Sequence, residues 1–134
     1  MATALGKIVK WNNDRGLIEK GFDHKNEISF VVEELIEGHS DMESKKARKC
    51  AKFIGWIIRM VPGKIPSKED IVDSFADIIV FAVGAIAKLG YNPDLVMKEV
   101  QKELDDRTGS MIGGKFVKDK KENPVKADFS KCKY

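Results

Sequence analysis

Glu33, Glu34 and Glu37 fall within little more than one helical turn in ISFVVEELIEG, and Asp70, Asp73 and Asp77 repeat that kind of spacing in EDIVDSFADIIVFAVGAIAKLG. Carboxylates at three- and four-residue intervals share one face of a helix. Two such helices meeting at one spot make a hard, oxygen-rich site for a divalent cation. Asp77 carries most weight because it opens an apolar run, where a carboxylate is costly to bury without a cation. Like-signed carboxylates in a covered site resist ionisation, and a magnesium ion removes that penalty. Magnesium keeps several waters, takes a few carboxylates together with phosphate oxygens, and can polarise a phosphoryl group. The plainer reading is that both clusters are solvated helix faces, and for the Glu33–Glu34–Glu37 triplet alone it is the stronger one.

The elements that must position these acids are helical by pattern. Residues 1 to 25 read as irregular, with a turn-rich Asn12-Asn13-Asp14-Arg15-Gly16. Asn26 is placed to cap a helix from about Glu27 to Glu37, with Ile28, Val31, Val32, Leu35 and Ile36 as its apolar stripe. Ser40 and Glu43 form a capping-box pattern for a helix to about Val61, with Ala47, Cys50, Ala51, Ile54, Ile57 and Ile58 inward and a basic remainder. Pro62 to Pro66 breaks the chain. Ser67 and Asp70 start a third helix that ends before Gly90, and Asn92-Pro93 starts a fourth that ends near Arg107. No strand alternation is visible. The expected fold is all-α: a four-to-five-helix antiparallel bundle over residues 1–109, then an extended lysine-rich tail over 110–134 that packs on the domain or on a partner subunit.

Bulk properties bound the function. The chain has 134 residues, enough for one real core. A net charge of +3, from 24 basic and 21 acidic residues, does not argue for a nucleic-acid partner. The longest apolar run is too short to span a bilayer. Cys50 and Cys132 lack metal or redox spacing, so both thiols read as reduced and the compartment as cytoplasmic.

Glu33-Glu34-Leu35-Ile36-Glu37 matches an EExxE element, and Asp77 matches the Asp of an ExxD element on a later helix. This ordered pair, with a basic helix between, resembles the MazG-like all-α nucleoside triphosphate pyrophosphohydrolases, relatives of dimeric dUTPase and phosphoribosyl-ATP pyrophosphohydrolase. The resemblance covers about residues 11 to 130. It departs at Ser74, where the family has Glu, so Asp73 or Asp70 must supply that carboxylate. The resemblance implies a magnesium-dependent enzyme, with manganese as a substitute, that cleaves an NTP or dNTP between the α- and β-phosphates. It implies Glu34, Glu37, Asp77 and, fourth, Asp73 as metal ligands. Glu33 becomes a ligand, a support for one, or the base that orients water. Lys102 and Arg107 fall where triphosphate-binding cations stand. A homodimer or homotetramer is the implied assembly. A phosphoribosyl-ATP substrate, or a non-catalytic helical interaction module, are the competing expectations.

Overall fold

The computed structural model describes residues 3–113 and 115–134. Among the described residues the chain is mostly helical, as the pattern predicts. The helices are α1 (Ala4–Asp14), α2 (His24–His39), α3 (Ser44–Met60), α4 (Lys68–Lys88) and α5 (Pro93–Asp106). A short hairpin of β1 (Gly109–Ile112) and β2 (Lys115–Lys118) follows, then a 3-10 turn at Phe129–Cys132. The chain divides into two compact units, one of residues 1–17 with 67–134 and one of residues 18–66.

The unit of residues 18–66 is α2 packed on α3. Small residues make that packing close: Ala47, Ala51 and Gly55 of α3 are buried, as are Ser29, Val32 and Glu33 of α2. A Cβ on Gly55 would stand 3.4 Å from Ile28 Cγ2 and from Ser29 Oγ, so the helices meet there with no spare room. The ends differ from the sequence expectation. Asp23 caps α2, accepting from the Lys25 N–H at 3.1 Å, and Asn26 donates its side-chain amide to the same carboxylate. An ionised carboxylate one turn earlier is the stronger acceptor, so the helix begins there. Ser40 is extended and ends α2, donating its N–H to Ile36 O, so the Ser40–Glu43 box does not form. Glu43 stands at the N-cap of α3 with no side-chain cap bond.

The other unit is built around α5. Its starts and stops follow the sequence signals. Ser67 and Asp70 close a reciprocal capping box, each side chain taking the other's backbone N–H at 3.1 Å. Gly90 turns the chain out of α4 at a φ of 87°, a conformation glycine adopts without Cβ strain. The Asn92 side chain accepts from Asp94 and Leu95, with Pro93 as first helical residue.

α1 lies against α5. Trp11 donates its indole N–H to Leu104 O at 2.7 Å, and Arg15 lies over the Trp11 ring at 4.0 Å while donating to Arg107 O. Phe116 of β2 meets the Trp11 edge at a centroid distance of 5.3 Å, which ties the hairpin to α1. Gly109 is required in β1, because a Cβ there would collide with the Val117 carbonyl and the Lys118 backbone. Neither α1 nor the hairpin was expected.

Candidate functional site

The three glutamates of α2 do different jobs. Glu33 is 5% exposed and faces α3, where Arg48 Nε stands 3.5 Å from its carboxylate. A carboxylate so deeply buried is costly without a cation nearby, and the pair links α3 to α2. Glu34 and Glu37, three residues apart, are exposed. The EExxE element thus puts one acid inward, as a fastener, and two outward on one face. Nearer the helix start, burial and then the Asp23 carboxylate push Glu27 above its ordinary value.

Asp73 and Asp77 are both exposed on α4, four residues apart. The expectation of a covered Asp77 is not met in the single chain. Val80 and Phe81 beside it are exposed as well, Phe81 at 75%, while Gly84 is half-buried. Asp70 is committed elsewhere: the Ser67 hydroxyl, then the Ser67 N–H, engage it and hold it below the usual carboxylate range. Ser74, at the position of the expected Glu, spends its hydroxyl on Asp70 O at 3.0 Å. Among the described residues, no three His, Cys, Asp or Glu side chains gather in a way that holds a metal.

Glu34 with Glu37, and Asp73 with Asp77, are two exposed pairs of hard oxygen donors at helical spacing on two helices. Magnesium takes few carboxylates and keeps the rest of its shell for water and phosphate.

Lys102 and Arg107 are already paired. Lys102 bonds Glu99, and Arg107 Nη2 donates to Glu103 Oε1 at 2.9 Å. The Glu99 hydrogen bond, then its charge, raises Lys102.

Those two glutamates belong to an arrangement that sequence reasoning missed. Glu99, Glu103 and Asp106 occupy one face of α5 and accept, in turn, the backbone N–H groups of Asp128 (3.2 Å), Ala127 (3.0 Å) and Val125 (2.9 Å). Lys102, Arg107 and Lys121 pair with the same three carboxylates. The lysine-rich tail is therefore strapped along α5 by its backbone. Its far end is also fixed, since Asn92 N–H donates to Cys132 O at 2.7 Å and Tyr91 bridges Lys133. Burial, then the Glu99 and Asp128 carboxylates, push the Cys132 thiol up, as suits a structural rather than reactive cysteine. The signal was present as acids at i, i+4 and i+7 of α5 opposite a tail with few large apolar residues.

A cleft of about 290 Å³ lies where α5, the hairpin and the tail converge, lined by Arg107, Lys118, Lys126 and Phe129 among others. No helix among the described residues is long and apolar enough to cross a membrane. No family model, curated protein or solved structure matches the chain.

Proposed function

We propose that the chain is a magnesium-dependent nucleotide pyrophosphohydrolase that cleaves an NTP or dNTP to the monophosphate and pyrophosphate. The observation that carries this reading is the pair of outward carboxylate pairs, Glu34 with Glu37 on α2 and Asp73 with Asp77 on α4. They occupy the sequence order of the EExxE and ExxD elements. The resemblance names Glu34 and Glu37 on α2, and Asp73 and Asp77 on α4, as the candidate ligands of the ion, which when bound would supply polarisation of a phosphoryl oxygen and a water of lowered pKa. Asp73 takes the role of the absent Glu, since Asp70 is engaged in the capping box. Glu33 acts from inside: pinned by Arg48, it sets the rotation of α2 and so the aim of Glu34 and Glu37.

Incubation with a panel of NTPs and dNTPs tests the reading. Magnesium-dependent pyrophosphate release is expected from at least one, and Asp77→Ala and Glu37→Ala should each lower it by about a hundredfold or more, the scale of losing a transition-state charge partner. Absence of release from every nucleotide, in freshly prepared protein, overturns it.

One observation favours a second reading. Ser74 replaces the family carboxylate and its hydroxyl is used by the helix backbone, as expected of a helical interaction module without catalysis. Titration calorimetry separates the two. The module shows no magnesium or nucleotide binding that depends on Asp77.

A further inference from the structure

Between α1 and α5, both in the unit built around α5, lies a second cleft of about 350 Å³, lined by Lys7, Trp11, Arg15, Gln101 and Asp105 among others. Most of its polar groups are already served. Lys10 pairs with Asp14. Arg15 spends one terminal nitrogen on Trp11 O at 3.1 Å and the other on Arg107 O at 3.0 Å. Leu104 O takes the Trp11 indole N–H. Two groups of opposite charge are left over. Among the described residues Lys7 and Asp105 make no ion pair, although both line this one cleft.

Gln101 supplies an independent observation. It is 7% exposed, and its side-chain oxygen Oε1 is buried with no hydrogen-bond partner among the described residues. A buried acceptor in that condition is costly, and native proteins carry few of them. The orientation of the amide is fixed by its other end: Nε2 donates to Asp105 Oδ1 at 2.7 Å, and an ionised carboxylate only accepts. Oε1 and Nε2 share one carbon, so Oε1 lies within about 5 Å of Asp105 Oδ1, a span that one ammonium donating to both can close. Gln101 and Asp105 together make a corner for a cationic N–H group.

Charge decides the class of ligand. Lys7, Lys10 and Arg15 stand against Asp14 and Asp105, which leaves the cleft with one positive charge in excess. A ligand that is only a cation serves the Gln101 corner but meets Lys7 and that excess. A ligand that is only an anion serves Lys7 and leaves Oε1 unserved beside an unpaired Asp105. A molecule with an ammonium at one end and a carboxylate at the other serves all three groups. A cleft of this volume admits a small one.

We propose that this cleft binds a small zwitterion of the free amino-acid class, its ammonium between Gln101 Oε1 and Asp105 and its carboxylate on Lys7. The site uses none of the carboxylates assigned to magnesium, and it stands whether or not the chain hydrolyses nucleotides.

Titration calorimetry of the full chain with a panel of free L-α-amino acids, each up to about 10 mM, tests the proposal. At least one should bind. Its decarboxylated amine and its deaminated acid should each bind about tenfold more weakly or worse, since each loses a charge-assisted contact. Lys7→Gln should weaken the amino acid by a similar factor and leave the amine where it was. Asp105→Asn should weaken the amino acid and leave the acid where it was. Gln101→Met removes the unserved acceptor at nearly constant volume. It should melt no lower than the wild type and yet lose the amino acid about tenfold, a split that a merely structural glutamine does not give. If circular dichroism shows Gln101→Met unfolded, Lys7→Gln and Asp105→Asn, both at exposed positions, decide. Absence of binding by every amino acid overturns the proposal and leaves water as the donor for Oε1. So does an amine or an acid that binds as tightly as its amino acid, and so does binding that all three variants leave unchanged.

Discussion

At the scale of single residues, the most informative is Glu33. A glutamate three residues before Ile36 looks, in sequence, like its neighbours Glu34 and Glu37. Burial separates them: one acid is turned onto α3 and faces Arg48, and two are turned away. Removing the guanidinium takes a nearby cation away from a buried carboxylate, whereas neutralising the carboxylate leaves a half-exposed Arg48 that water can serve. Arg48→Ala should therefore cost more stability than Glu33→Gln, by about 1–2 kcal/mol on the scale of hydrogen bonds to charged groups. Urea unfolding of the two variants measures the order, and the reverse order would show that Arg48 does not support Glu33. Such distinctions were not legible beforehand, because helical periodicity assigns a face to each residue but not which of two acids at the edge of that face is swallowed. Asp77 went the other way. Its apolar neighbours suggested cover, yet in the single chain those neighbours are exposed with it.

At the scale of elements, legibility followed the strength of the local end signals. α4 and α5 start and stop where Ser67 with Asp70, Gly90 and Asn92-Pro93 require. α1 was lost because its turn-rich end, Asn12 to Gly16, outweighed a short apolar pattern whose purpose is a long-range contact, Trp11 on Leu104. The hairpin was lost because its strands are four residues each, too short for alternation to register. Its glycine is testable. Gly109→Ala should break the β1–β2 register at Val117, and the amide protons of residues 109–118 should exchange markedly faster, with α2 and α3 unaffected.

The strap on α5 has a pH dependence of definite sign. The Lys102 and Asp128 hydrogen bonds hold Glu99 below its ordinary value, and the Val125 N–H, then Lys121, do so for Asp106. A carboxylate lowered in the folded state contributes stability above its unfolded value and loses it as pH falls through the folded one. The tail amides of Val125 and Asp128 should stay protected down to about pH 4, the ordinary carboxylate range, and lose protection below it. Glu27, shifted upward, has the opposite sign, so the start of α2 should not be the first segment released. Amide exchange followed by mass spectrometry against pH measures both.

At the scale of the whole molecule, each unit has a modest interior of small side chains, with Ala47 and Ala51 fully buried and Cys132 nearly so. Much of the large apolar surface of α3 and α4 remains outside it. The all-α class was readable from periodicity, since helical spacing runs through most of the chain. The division into a unit of residues 18–66 and a unit drawn from both sides of it was not, because it depends on α1 returning to α5. Residues 61–66 end the unit of residues 18–66 in sequence, all exposed and outside any helix, with Ile65 at 96%. Limited trypsin digestion should cut first after Lys64, and mass spectrometry should find that bond opened before any within α3 or α5.

The bond from Asn92 N–H to the Cys132 carbonyl has a consequence for how the protein is made. A ribosome delivers Gly90 to Asn92 long before it delivers Cys132. The corner between α4 and α5 must wait, with its amide served by water, until Cys132 has emerged and swung back to meet it. Maturation of this unit is therefore timed by the arrival of a segment some forty residues downstream rather than by its own helices.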